Sequence, residues 1–289
     1  MPELPEVETV RRGLSELVIG KTMTSTSSDT PKSFPNTVAD VNQFLIGAEI
    51  TSIRRRAKVL MIDLSTNYSL VIHLKMTGQL VYVDKDARFG AGHPNDSLVN
   101  ALPDTSTRAT IEFNDGSQLF FNDQRKFGWV KLMPTVEIPN LPFMKKVGPE
   151  PLEPDFTAKQ FADRFARRKK TSIKAAILDQ SVIAGVGNIY ADESLWGAKI
   201  HPKRRVETIT PAEFEKLYTE LRWVMNLSIE KGGSSNRNYV NAEGKRGSYM
   251  DFARVFRREG LPCPRCGTTI EKLRVAGRGT HICPYCQVL

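Results

Sequence analysis

The sequence predicts an α+β chain in three parts: a mainly β first half behind one helix, a helical second half, and a short cysteine-bearing tail. Three observations carry this. Strand-like alternation runs through residues 48–133, in "EITSIRRRAKVLMIDL", "SLVIHLKMTGQLVYV" and "ATIEFNDGSQLFF". Six prolines then fall between residues 134 and 154, and helical spacing follows them. The only four cysteines come as two Cys-x2-Cys pairs near the end.

The elements follow in chain order. Val7, Val10, Leu14, Leu17 and Val18 recur at helical spacing, and Pro5 suits a first helical turn, where a missing N–H costs nothing. Asn114-Asp115-Gly116 is a tight-turn signal between two alternating runs. The proline-rich stretch can continue neither a helix nor a central strand, so it marks the interdomain connection. Beyond it, "PAEFEKLYTELRWVMNLSIEKGG" reads as a helix closed by Gly232 and Gly233. A chain of 289 residues is long enough for two domains with buried cores.

Composition narrows the function classes. Forty-one basic against 32 acidic residues give a net charge of +9, which favours a polyanionic partner. No apolar run approaches the roughly 18 residues of a membrane span. The acidic start lacks an apolar signal core, so the expected location is the cytoplasm.

The tail carries the strongest chemical signal. Cys263-x2-Cys266 and Cys283-x2-Cys286 lie 16 residues apart, and each pair offers two thiolates to one tetrahedral ion. Two disulfides would need an oxidising compartment, for which nothing argues. One structural Zn2+ per chain is therefore expected, with His281 a hairpin residue rather than a ligand. Residues 245–289 hold nine Lys/Arg and three Asp/Glu, so the tail is also the basic end of the chain. Arg278, between two glycines at the expected hairpin tip, is placed to clamp a phosphate.

Two further stretches fit nucleic acid. "DQSVIAGVGNIYADESLW" reads as helix, glycine turn, helix, with Asn188 at the second N-cap and outward-facing glycine amides. The bland reading is a satisfied helical corner. "NDQRKFGWV" and "HLKMTG" bring Arg125, Phe127 and Met76 to strand ends or turns. An apolar wedge opens a duplex, and arginine can bond an orphaned base. The bland reading makes Phe127 and Met76 core residues.

Taken together, "PELPEVETVRRGL", "GVGNIYADE", "RKFG", "GGSS" and "GRGTHICPYCQ" make the chain resemble, nearly end to end, the bacterial formamidopyrimidine-DNA glycosylases. These are bifunctional glycosylase/lyases of base-excision repair. The resemblance implies an N-terminal β-sandwich with flanking helices over 1–135, a linker over 136–154 and a helix-two-turns-helix domain over 155–250. A lesion-capping loop would span 232–249 and a zinc-ribbon finger 251–289, with double-stranded DNA carrying oxidised bases in the cleft between domains. A monomer is expected.

The resemblance also assigns roles. Pro2, freed by removal of Met1, would be the nucleophile. An α-amino group titrates near ~8, and a helix N-terminus lowers that further. Glu3 would be the acid/base carboxylate, Glu6 an orienting one, and Lys58 a DNA contact at the site; Glu8 has no counterpart and reads as solvated. Asn188 and Arg278 would hold phosphates, with Lys174 assisting. Met76, Arg125 and Phe127 would fill the space of a flipped nucleotide, Arg125 facing the orphaned cytosine. Ser234, Ser235, Arg237 and Tyr239 would close over the extruded base. The Pro/Asp/Ser-rich stretch between Val83 and Thr110 departs from the family pattern and reads as a disordered loop near DNA. Ser106 and Arg108 stand there where relatives commonly carry a histidine pair, and Arg108 would replace a phosphate contact. The alternatives are an endonuclease VIII-type enzyme for oxidised pyrimidines, whose members lack "RKFG", and a non-catalytic zinc-ribbon DNA-binding protein.

Overall fold

The computed structural model describes residues 2–93, 95–234 and 249–289. The chain forms two compact units, Met1–Lys145 with Lys231–Ser248, and Lys146–Glu230 with Tyr249–Leu289. The division after Lys145 falls inside the proline-rich stretch.

The first unit opens with α1 (Leu4–Val18), followed by β1 (Met23–Ser28) and α2 (Val38–Phe44). Among its described residues eight more strands follow: β2 (Ile50–Arg56), β3 (Val59–Leu64), β4 (Tyr68–His73), β5 (Gly78–Val83), β6 (Arg88–Gly92), β7 (Thr107–Phe113), β8 (Gln118–Asp123) and β9 (Trp129–Pro134). They make two antiparallel sheets, one of order β1-β7-β8-β5-β6 and one of order β2-β3-β4-β9. The inward residues of both sheets share one core with the apolar side of α1: Ile62, Leu70, Ile72 and Leu132 from one, Leu80, Tyr82, Phe113 and Phe121 from the other, and Val7, Val10, Leu14 and Val18 from the helix. The Asn114–Gly116 turn joins β7 to β8, with Gly116 at φ +83° and the Phe113 amide donating to the Ser117 carbonyl at 2.9 Å.

The chain changes sheet three times: between β1 and β2, at residues 74–77 between β4 and β5, and at 124–128 between β8 and β9. The outer face of the four-stranded sheet, with Val59, Met61 and Val71, is covered by the turns of Thr135–Asn140 and by α3 (Pro142–Lys146). Part of the proline-rich stretch therefore packs as a lid on the sandwich.

The stretch between Val83 and Thr110 corrects the expectation of disorder. Its described residues form β6 and a short turn at Asp96–Leu98. Arg88 donates to the carbonyls of Leu98, Ser97 and Asn100 at 2.9, 3.1 and 2.6 Å. Leu98 and Leu102 pack on Val81 and Phe120 of the five-stranded sheet's outer face. Apolar residues on both faces of β5 and β8 need cover, and this segment supplies it.

The second unit contains α4 (Ala158–Arg164), α5 (Ile173–Leu178), α6 (Asn188–Ala198), α7 (Pro211–Glu230) and the hairpin β10 (Glu271–Val275) and β11 (Arg278–Ile282). Phe214, Leu217, Leu221, Val224 and Met225 line the buried stripe of α7, and Phe161, Phe165 and Phe214 form an aromatic cluster with ring centroids 5.0–6.4 Å apart. α6 is buried along most of its length and runs through the middle of the unit.

Candidate active site

The start of α1 gathers two carboxylates. Pro2 is buried, one residue before the helix N-cap. Glu3 is that cap, in extended backbone, and shares a reciprocal capping box with Glu6. The Glu3 amide donates to Glu6 Oε2 at 2.8 Å, and the Ser234 amide donates to Glu6 Oε1 at 2.8 Å. Gly233 reaches Glu6 in a left-handed conformation, φ +87°. Both oxygens of Glu6 thus serve backbone amides, which is the geometry of an orienting group. Glu3, 3% exposed, is held at the helix's positive end beside Pro2.

Glu8 is the first correction. It is buried rather than solvated, and it meets Arg11 at 2.8 Å, Arg12 at 2.9 Å and Arg55 at 3.1 Å. Burial raises its pKa, but hydrogen bonds from Arg11 and Arg12 and the charges of Arg11 and Arg55 outweigh this and bring it to about 2. A depressed carboxyl pKa stabilises the fold above the unfolded-state value and ceases to do so as pH falls. Glu8→Gln is expected to cost about 1–2 kcal/mol at pH 7. Thermal melts of both proteins should show that gap steady above pH 4.5 and closing as pH falls towards 2. A gap that does not change with pH would contradict the ion-pair account.

Lys58 lies in the two-residue turn between β2 and β3, where Ala57 takes φ +53°. It is buried, and its neighbour Val59 pairs with His73 across the sheet. His73 escaped the sequence reading, being a lone histidine in an apolar run. Burial, then the charges of Lys75 and Lys58, lower its pKa to about 3. Its Nδ1 accepts from the Lys75 amide at 3.0 Å, so the neutral ring carries its proton on Nε2.

The 74–77 and 124–128 sheet crossings present the wedge candidates. Met76 is half-buried in the 74–77 turn, and Arg125 is exposed in the 124–128 loop. Phe127 is 46% exposed, so it is no core residue. Its ring is flanked by the Arg125 guanidinium at 4.9 Å and the Lys32 ammonium at 5.6 Å. The sequence reading missed Asp123, which accepts from the amides of Phe127 and Gly128 at 2.8 and 2.6 Å.

Arg108 is the second correction. It is buried, and its guanidinium donates to the Asp123 carbonyl at 2.8 Å, to the Thr105 carbonyl at 2.7 Å and to the Asp29 carboxylate. Its donors serve internal acceptors, so it is not the exposed cation a phosphate contact requires.

In the second unit, Gly187 is the N-cap of α6 and Asn188 its first helical residue, one position on from the expected cap, because Gly187 takes the extended backbone (φ −132°, ψ −162°). The Gly185 amide turns inward to Gln180 at 2.9 Å rather than outward. Asn188 Nδ2 donates to the Gly279 carbonyl at 2.9 Å. Lys174 is corrected as well: it is fully buried, bonding Asp192 at 2.5 Å, Thr280 Oγ1 at 2.7 Å and the Gly279 carbonyl at 3.2 Å. It positions the hairpin and is not open to a phosphate. Arg278 is exposed beside the tip, where Ala276 and Gly277 both take positive φ.

Two acids of α6 also escaped the sequence reading. Asp192 accepts from Lys174 and from the His281 amide at 2.9 Å. Glu193 accepts from the amides of Arg254, Val255 and Phe256 at 2.8–3.1 Å. The signal was present as two adjacent acids in an otherwise apolar helix. Of the capping-loop candidates, Ser234 is half-buried on Glu6, and Ser235, Arg237 and Tyr239 lie outside the described residues.

The four cysteine Sγ atoms lie within 4.8 Å of one another. Tetrahedral zinc with bonds of about 2.3 Å places its sulfurs about 3.8 Å apart, so the cluster fits the ion. Each pair is a tight knuckle: the Gly267 amide donates to the Cys263 carbonyl at 2.9 Å, and the Gln287 amide to the Cys283 carbonyl at 3.0 Å. His281 faces Asp192 at 3.2 Å and Glu259 at 3.1 Å and stays outside the ligand set. The tail holds one structural zinc.

Each of the three parts of the chain matches a known protein family. The family model described as the formamidopyrimidine-DNA glycosylase N-terminal domain matches residues 1–130, its H2TH domain 147–239, and the zinc finger found in FPG and IleRS 260–288. A formamidopyrimidine-DNA glycosylase of Pediococcus pentosaceus is 42% identical over 100% of both chains, and one of Desulforamulus reducens is 40% identical over 99% of both. Among solved structures, a Lactococcus lactis FPG mutant with Fapy-dG-containing DNA matches with TM-score 0.86 at 35% identity, covering 100% of both chains. The L. lactis Fpg with abasic-site DNA matches with TM-score 0.86 at 35% identity, over 99% of this chain and 100% of that one.

Proposed function

The chain belongs to the formamidopyrimidine-DNA glycosylase family, and from that premise we propose how its residues divide the work. The protein removes oxidised purines from duplex DNA by base excision and cleaves the abasic site that results. Among the described residues no helix is long and apolar enough to cross a membrane. From the DNA-repair role of the family we assign its work to the cytoplasm.

Pro2 is the nucleophile. Its secondary amine, free once Met1 is removed, attacks the sugar C1′ as the bond to the base breaks. Glu3 donates a proton to the sugar oxygen as the ring opens. The iminium so formed cannot shed its charge by losing an N–H proton. It withdraws electrons from C2′, whose proton leaves to a base, and the 3′ and then the 5′ phosphate is eliminated. Glu6 orients this end of α1, and Lys58 with the neutral Nε2–H of His73 holds the DNA backbone nearby. Met76, Arg125 and Phe127 fill the space of the flipped nucleotide, and Asn188 and Arg278 hold phosphates. The observation that carries this reading is the pair of buried carboxylates locked at the helix N-terminus directly after Pro2. It is tested with borohydride and duplexes carrying 8-oxoguanine, formamidopyrimidine or thymine glycol. Covalent trapping on the two oxidised purines is expected, and trapping confined to thymine glycol would overturn the substrate reading.

A further inference from the structure

Asp123 is fully buried at the end of β8, opposite Gly78 in the register of β5. Its carboxylate connects two of the three segments on which the chain changes sheet, 74–77 and 124–128. Oδ1 accepts from the Thr77 hydroxyl and from the Arg125 amide at 3.2 Å. Oδ2 accepts from the amides of Phe127 and Gly128 at 2.8 and 2.6 Å. Thr77 Oγ1 in turn accepts from the Arg125 amide at 3.1 Å. The backbone of Asp123 is held from the far side, its amide donating to the Ser106 carbonyl at 2.7 Å and its carbonyl accepting from Arg108 at 2.8 Å. Among the described residues the partners of this carboxylate are one hydroxyl and three backbone amides, with no lysine or arginine side chain. A buried carboxylate is costly unless hydrogen bonds compensate, and here the donors come from the two segments that carry Met76, Arg125 and Phe127.

We infer that Asp123 is the positioning residue that sets Arg125 and Phe127 in register with Met76, and that through Arg125 it governs discrimination between cytosine and adenine opposite the lesion. The inference rests on the reading of Arg125 as the group that faces the orphaned base. Hydrogen-bond selection by a side chain depends on distance and direction within a few tenths of an ångström, so the frame that fixes the loop also fixes the selectivity. In Asp123→Asn an NH2 group would face N–H or O–H donors, and the loop must move. Thr77→Val removes the hydroxyl that links the two segments at almost constant shape, whereas Thr77→Ser keeps it.

The test compares kcat/KM for 8-oxoguanine opposite cytosine and opposite adenine in the wild type and in Arg125→Ala, Asp123→Asn, Thr77→Val and Thr77→Ser. The ratio is expected to fall about tenfold in Asp123→Asn and in Thr77→Val, the scale of losing a hydrogen bond to a charged group, and to hold in Thr77→Ser. A purely structural role lowers both rates together and leaves the ratio unchanged, and that result in Asp123→Asn and Thr77→Val would overturn the inference. If Asp123→Asn does not fold, Thr77→Val carries the test. If Arg125→Ala itself leaves the ratio unchanged, the reading of Arg125 fails, and the inference with it. A ratio that falls in Arg125→Ala but in neither framing variant overturns the inference alone.

Discussion

Glu3→Gln is expected to lower base release from 8-oxoguanine duplexes about a thousandfold, the scale of losing a general acid. Glutamine keeps an oxygen for the helix cap but carries no acidic proton. The capping box at the start of α1 should survive, since the Glu3 amide still reaches Glu6 at 2.8 Å. Lesion binding should change little, because the proposed phosphate and wedge contacts come from other residues. Single-turnover excision and equilibrium binding on the same duplex separate the two effects. A variant that binds tenfold more weakly yet excises at the wild-type rate once saturated would assign Glu3 to binding instead.

Cys266→Ser, or zinc removal by a chelator, is expected to weaken lesion binding by at least a hundredfold while the β-sandwich stays folded. The finger has a small core of its own, Val255, Cys263, Ile270 and Cys283 packed on Trp196, and its shape depends on the ion. Its collapse would release Arg278 and the β11 strand that Lys174 and Asp192 anchor. Fluorescence offers an independent readout. The chain has three tryptophans. Trp196 is 5% exposed beside the cysteines, stacked with the guanidinium groups of Arg265 at 3.9 Å and Arg254 at 4.8 Å. Its emission should shift to the red as zinc leaves, and Trp196→Phe should remove the shift. Unchanged binding in zinc-free protein would contradict the role given to Arg278.

What was legible in the sequence was whatever repeats locally. The apolar spacing of α1, the alternation of the strands and the matched cysteine pairs each follow from residues close together in the chain, and each appears in the fold. What escaped was the polar interior. Glu193 is buried because amides 61–63 residues away bond to it, and Asp123 because Thr77, 46 residues earlier, does. Composition cannot distinguish such a group from a solvated one. The same limit produced the errors at Glu8, Arg108 and Lys174: each was read as available to solvent or DNA, and each is held by partners within its own unit. The segment after Val83 was misread because its prolines, serines and aspartates resemble a free loop, whereas Leu98 and Leu102 pack on an outer sheet face.

The central claim is that the imine forms on Pro2. Its most direct measurement is peptide mapping by mass spectrometry of the adduct formed when the protein is reduced with borohydride on 8-oxoguanine duplex. The expected result is a single DNA-derived mass on the N-terminal peptide, at Pro2, in protein that has lost Met1. Protein in which methionine removal is blocked should give no adduct, since the Pro2 nitrogen is then an amide whose lone pair is delocalised. An adduct on Lys58, or on protein that retains Met1, would contradict the account.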